Sequence, residues 1–395
     1  MVRKPPAASD PDSVAPIDLF EALGGSVKCR ELSARLYAHV VKNPILRPLF
    51  PGKTQKCAID AFAAFLAQFL GGAPAEARHR WWLSLRESHL RFQIGQKERD
   101  AWMEQMSRAL GDVEMSEPMR NSLQELFEEA SAYLVNSGPP AAATICRPEL
   151  SGIGAQIGRR WDEQRALDEA VQAVRQGDLP RLSAIVGSPR LQSLFQRSRA
   201  VFANFVGVLI GSSCGVMAEY AQRILLENPD LAHESYSGRS LLHAASAAGN
   251  LPIVRALLKL GVDPNIPDGG GHTPLYCVGN ECRSGGPVVL ALIQGGAQVD
   301  ACGGVKRCTA LHMAARRGNV EVSEALLECG ANIEARDSLR ETPLRRAVNC
   351  GQAAVAALLL AKGADPHSVG SKGLTPLSAA RAGEMRSLLQ TWARQ

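Results

Sequence analysis

CTALHMAARRGNVEVSEALLECGANIE, residues 308–334, decides the architecture of the C-terminal part of the chain, because it recurs. RSLLHAASAAGNLPIVRALLKLGVDPN starts at Arg239, and ETPLRRAVNCGQAAVAALLLAKGADPH starts at Glu341. Each copy runs through a short apolar stretch with small residues, a glycine, a second apolar stretch with adjacent leucines, and a closing glycine. The equivalent leucines are Leu242, Leu275, Leu311, Leu344 and Leu377, at separations of 33, 36, 33 and 33 residues. A fixed period of this size marks a solenoid of stacked units, since no single unit can bury its own apolar face.

A 33-residue period with a T-P-L-H-like signature matches ankyrin repeats. Thr342 puts a capping hydroxyl ahead of Pro343 in the first helical turn. Ala314 and Ala315 are small enough for inner helices to stack closely. Leu326 and Leu327 fill the gap to the next repeat, and Gly330 ends the second helix. Tyr276, Arg345 and Ser378 stand where His243 and His312 sit, so the imidazole's turn hydrogen bond is expected to be lost there. The three extra residues between Leu275 and Leu311 are assigned to ECRSGGP or ACGGVKR. Two weaker units, from Ala166 and over Val201–Ala232, read as degenerate or capping repeats. The uncharged run Ala200–Ala218 then reads as a buried helix pair, not a membrane span, because it holds Asn204, two serines and three glycines.

Working outward, SGPPAAAT (137–144) is a boundary: two prolines after a glycine stop a helix and favour an extended spacer. The expected organisation is a disordered lead at 1–16, a helical domain at 17–136, a linker at 137–160 and repeats at 161–395. Within the last, 161–237 is degenerate or capping and 238–395 is clear. Of the 395 residues, 46% are hydrophobic and 21% charged. The net charge of +5 comes wholly from the region after residue 150, where 26 basic residues face 21 acidic ones. That excess is too dispersed for a nucleic-acid partner. The start, MVRKPPAASDPDSVAP, has no apolar core for a secretory signal. Ten scattered cysteines without CxxC suit reduced thiols in a cytoplasm.

Before the boundary the pattern is helical. Leu32, Leu36 and His39–Val40 share a face, as do Ala58, Phe62, Phe65 and Phe69 at i, i+4, i+7 and i+11. Gly24–Gly25 and Gly71–Gly72 punctuate these helices. SHLRFQIGQKERDAW (88–102) sets His89 among Phe92, Ile94 and Trp102.

Together with LFEALGGSVKCRELSARLYAHVVKNPILRPLFPG and FAAFLAQFLGG, that stretch resembles the bacterial truncated haemoglobins, closest to group II, over about residues 17–136. The resemblance implies an all-α chain: a two-over-two helical globin around a haem, followed by the ankyrin solenoid. It makes His89 the proximal iron ligand, with its second ring nitrogen donating to a carbonyl. Tyr37 and Trp102 become the distal donors, through O–H and indole N–H. Ala58 and Phe62 face the ligand, Phe50 wedges the haem, and Phe92 and Ile94 lie against the porphyrin. Met106 packs beneath Trp102, and Arg86 pairs with a propionate. The segment APAEARHRWWLSLRES (73–88) departs from the group II pattern before the histidine, which bears on contacts at the haem edge. No CxxCH occurs, so the expected cofactor is non-covalent haem b.

The implied function is reversible binding of O2, with NO or CO as other ligands, and an array that binds a protein partner as a sensor or tethered redox module. One alternative is a haem enzyme, an NO dioxygenase or peroxidase fed by an external reductase, since no flavin or nicotinamide fingerprint occurs. The other is a haem-free ankyrin adaptor. Neither a membrane nor a nucleic acid is expected as partner.

Overall fold

The computed structural model describes residues 17–50, 55–72, 84–137, 152–236, 238–282, 284–370, 373–380 and 383–392. The lead at 1–16, Pro51, residues 73–83 of the variant loop and residues 138–151 of the linker lie outside these. The chain forms two compact units, Met1–Asp168 and Glu169–Gln395. Among the described residues the regular secondary structure is helical apart from the hairpin Ser235–Tyr236 with Arg239–Ser240 and a bridge between Gly303 and Cys308.

In the first unit, α1 (Leu19–Leu23) is capped by Asp18, whose carboxylate accepts from Phe20 N at 3.0 Å and Glu21 N at 3.1 Å. Gly24, at φ +105°, lets the chain turn directly into α2 (Gly25–Val40). Helix α3 (Lys56–Leu70) packs on α2, and α5 (Gln96–Asp112) packs on both α2 and α6 (Glu117–Leu134), which is a two-over-two sandwich. Between these pairs lie Leu32, Leu36, Leu66, Leu70, Met106, Leu110, Leu123 and Phe127, all buried. Each such side chain contributes about 2 kcal/mol through loss of apolar surface to water. Between α3 and α5 sits α4 (Leu85–His89), only five residues long.

Residues 153–160, which composition assigns to the linker, are helical: they begin α7 (Ile153–Gln176). Ile157 and Trp161 are buried in the globin core, and Trp161 meets Tyr133 edge-on at 5.8 Å. The Arg160 guanidinium donates to the Phe69 carbonyl at 2.8 Å. Gly152, Gly154 and Gly158 lower the intrinsic helix preference of this stretch, and packing of its apolar residues overrides that.

In the second unit, α8 (Leu179–Val186) and α9 (Pro189–Arg197) precede α10 (Arg199–Ile210) and α11 (Gly215–Glu227). The uncharged run 200–218 is thus α10 and the start of α11, and α10 is buried almost throughout. Among the described residues no helix is long and apolar enough to cross a membrane. Five helix pairs follow: α12 (Leu241–Ala248) with α13 (Leu251–Lys259), α14 (Pro274–Glu281) with α15 (Gly286–Gln294), α16 (Ala310–Arg317) with α17 (Val320–Glu328), α18 (Pro343–Asn349) with α19 (Ala353–Ala361), and α20 (Pro376–Ala379) with α21 (Glu384–Trp392). Inner helices stack α10, α12, α14, α16, α18, α20, and outer helices stack alongside them.

The three-residue insertion is divided. Residues 282–285 join α14 to α15 where two residues, 249–250 and 318–319, suffice in the neighbouring pairs. The third extra residue lies in 295–309, the stretch holding the Gly303–Cys308 bridge. Thr342 caps α18 as the sequence implies, and Thr309 caps α16 in the same way. At Arg345, where the imidazole is absent, a guanidinium keeps the cross-repeat part of its bonding. His243 and His312 send Nε2 to the His272 and Glu341 carbonyls, both at 3.0 Å. Arg345 sends a guanidinium N–H to the Thr375 carbonyl at 2.8 Å, and Glu341 holds the rest of the group at 3.1 Å. A longer, charged side chain makes an equivalent cross-repeat bond, and a buried carboxylate neutralises it.

Candidate functional site

His89 closes the last turn of α4, half-buried. Its Nδ1 lies 2.8 Å from the Leu85 carbonyl and 2.8 Å from Ser88 Oγ, while Ser88 Oγ itself donates to that carbonyl at 2.6 Å. A carbonyl oxygen only accepts, so Nδ1 carries the proton and Nε2 presents a bare lone pair. Burial lowers the imidazole pKa below its ordinary value and keeps it neutral; the Leu85 hydrogen bond opposes that shift and Arg91 reinforces it. Among the described residues Nε2 has no hydrogen-bond partner. A neutral imidazole with an oriented, uncommitted nitrogen is the form that binds a metal.

Aromatic rings form two runs in this unit, the first of which reaches His89. His89 lies 6.3 Å from Phe92, Phe92 lies 6.1 Å from Phe50, and Phe50 meets Tyr37 edge-on at 5.4 Å. The second run joins Trp102 to Phe127 at 5.8 Å, Phe127 to Phe62 at 6.0 Å, and Phe62 to Phe65 at 6.2 Å. Phe127 is buried, whereas Tyr37, Phe50, Ala58, Phe62, Phe65, Phe92, Ile94 and Trp102 are all half-buried. Tyr37 is held neutral by burial, which pushes its pKa up to about 12. Among the described residues, neither the Tyr37 hydroxyl nor the Trp102 indole N–H makes a hydrogen bond to protein. The unit therefore offers a bare imidazole nitrogen, an apolar aromatic lining and two unspent donors.

Two further residues assigned to the site from sequence are Met106 and Arg86. Met106 is fully buried in the core, one turn beyond Trp102. The Arg86 guanidinium lies over the Tyr133 ring at 5.5 Å, on the α6–α7 side of α4. Three residues that the sequence reading missed shape the segment around His89. Ser88 shares the His89 Nδ1 proton. Asn136 pins residues 92–94: its Oδ1 accepts from Ile94 N at 2.9 Å, its Nδ2 donates to the Phe92 carbonyl at 2.9 Å, and its backbone N–H donates to the Ile94 carbonyl at 2.9 Å. Asp168 binds the opposite end of α4, accepting from Leu85 N at 2.8 Å and Arg86 N at 3.2 Å. A serine beside the histidine was visible in the sequence; the other two lie 42 and 83 residues from their partners and leave no local signal.

A two-over-two helical unit with such a lining, followed by stacked helix pairs, defines a truncated globin joined to an ankyrin array. The bacterial-like globin family matches residues 18–136, and ankyrin repeats match residues 225–275 and 280–370. The chain is similar to the group 2 truncated hemoglobin YjbI of Bacillus subtilis, 31% identical over 117 residues, which are 30% of this chain and 87% of that protein. It belongs to the bacterial-like globins of the truncated haemoglobin type and carries ankyrin repeats. It is also similar to alpha-latrotoxin-Lt1a of Latrodectus tredecimguttatus, 34% identical over 31% of this chain and 9% of the toxin. Human ankyrin repeat and SOCS box protein 16 is likewise 34% identical, over 35% of this chain and 32% of that protein. The chain thus spans less than a third of the toxin or the SOCS box protein.

The globin family implies haem. The residues present fit it: a neutral imidazole presents Nε2, and half-buried rings suit a large apolar macrocycle.

Proposed function

We propose that the globin unit holds non-covalent haem b through His89 and binds a diatomic gas, O2 foremost and NO or CO besides. The observation that carries this is the His89 tautomer: the Leu85 carbonyl fixes the proton on Nδ1 and leaves Nε2 for iron. Haem supplies the iron at which such a gas is held. Phe50, Phe92 and Ile94 exclude water from the imidazole side. Ala58 is too small to offer a polar gate, so hydrogen bonding to the gas falls to Tyr37 and Trp102. Both are neutral donors, which favours a ligand that gathers negative charge. Titrating the recombinant chain with hemin tests the reading. It predicts a saturating Soret band at one haem per chain; a chain that stays colourless contradicts it.

The array is a protein-interaction module, and its partner binds the concave face of the stacked inner helices. Under the sensor version, ligand state changes partner affinity. Equal affinities of the oxy and deoxy chains for that partner reject the sensor and leave a tether.

A further inference from the structure

Helix α4 is too short to stand by its own hydrogen bonds, since nucleation costs more than a single turn returns. Its free N–H groups are nonetheless all satisfied. Asp168 takes Leu85 N with Oδ1 at 2.8 Å and Arg86 N with Oδ2 at 3.2 Å, and Ser84 Oγ takes Glu87 N at 3.0 Å. Asp168 is itself buried, and it is steadied by Gln164 Nε2 at 3.1 Å and by the Tyr133 hydroxyl. It lies on α7, past the 18–136 family match.

The two bonds at Leu85 and Arg86 share one peptide group. Its N–H, on Arg86, donates to Asp168 Oδ2. Its C=O, on Leu85, accepts the Nδ1 proton of His89 at 2.8 Å. A carboxylate pulling on the N–H end pushes electron density toward the carbonyl, which then accepts more strongly. A stronger acceptor at Nδ1 makes the imidazole a better electron donor at Nε2.

We propose that Asp168 is a positioning residue for His89, acting through the Leu85–Arg86 peptide to orient the imidazole and raise its donor strength toward iron. The haem-binding unit then extends beyond the family domain to include residues 153–168 of α7. This rests on the reading of His89 as the iron ligand. Burial raises the Asp168 carboxyl to about 6, so the group is ionised at pH 7 and able to act in this way.

The test uses the full chain loaded with hemin and reduced, with the iron–histidine stretching frequency read by resonance Raman. Asp168→Asn, which keeps the shape and removes the charge, lowers that frequency relative to the parent chain. It also speeds haem transfer to an excess of apomyoglobin about tenfold, the lower end of what removing an outer-shell partner costs. A parent-like frequency and transfer rate in a folded Asp168→Asn chain overturn the proposal. A second measurement needs no variant: in the haem-free parent chain the amides of Leu85 and Arg86 exchange slowly, as held donors do. Exchange as fast as in an uncapped first turn overturns the proposal as well. Loss of the ligation reading has a different signature, a His89→Ala chain that keeps the parent's iron–histidine band.

Discussion

Tyr37 and Trp102 are the two polar-tipped aromatics of the candidate site, and they spend no hydrogen bond on the described protein. That separates them from Tyr133, whose hydroxyl serves Asp168 and whose pKa is pushed up to about 12, first by burial and then by that carboxylate. If Tyr37 and Trp102 serve the ligand, Tyr37→Phe should leave the fold intact and release O2 about tenfold faster, as the loss of one hydrogen bond of about 1.4 kcal/mol implies. Stopped-flow displacement of O2 by CO measures this. A release rate equal to the parent's assigns Tyr37 to packing alone. At this scale much of the candidate site was legible. His89, Phe92 and Trp102 stand in one short stretch, and Tyr37, Phe50, Ala58 and Phe62 follow once that stretch is aligned with a globin. The Tyr133 ring beneath the Arg86 guanidinium was not legible, because spacing gives a helix face but not the side to which a long side chain turns.

Elements make the residues' geometry hold. Helix α4 depends on Asp168 at one end, and the segment after it depends on Asn136. Both supports come from helices distant in sequence, which is why the family-like stretch alone did not reveal them. Helix α7 itself was hidden by composition: its glycines and the prolines before it read as a spacer, and only the apolar contacts of Ile157 and Trp161 show what the stretch does. Trp161→Ala should cost the globin unit about 3–5 kcal/mol, the usual price of a large cavity in a core. Urea unfolding followed by the globin's absorption or fluorescence gives the value. A loss below about 1 kcal/mol would mean that α7 is not part of that core. Asn136→Ala removes two side-chain bonds to residues 92–94 and should raise amide exchange there, leaving the exchange of α2 unchanged.

For the molecule as a whole, the array carries a pH sensitivity set by its own repeat chemistry. His243 and His312 are fully buried, and each accepts a backbone N–H at Nδ1, from Ser240 and Thr309, at 3.2 Å. Burial holds both imidazoles below their ordinary pKa. The unfolded chain therefore takes up protons first as the pH falls through 6.5, and the array's stability is full above that pH and lost below it. Between 6.5 and the folded values the loss is about 1.4 kcal/mol per pH unit per histidine. Urea midpoints of the array should fall from pH 7.5 to 5.5, and His243→Asn with His312→Asn should flatten that dependence. A fall of the same size in the double variant would place the sensitivity elsewhere. The repeat period made the solenoid plain from sequence, but not that the Arg345 guanidinium takes over the imidazole's cross-repeat bond. Its reach and its buried partner Glu341 depend on the neighbouring repeat.

The most direct test of the whole account is the absorption spectrum of hemin-loaded His89→Gly, recorded without and with added imidazole. The account predicts that the parent's Soret band is shifted or lost in the variant and that imidazole, entering the space left by the side chain, restores it. A variant whose spectrum matches the parent's before imidazole is added would show that iron is held by another residue or by none, and would contradict the account.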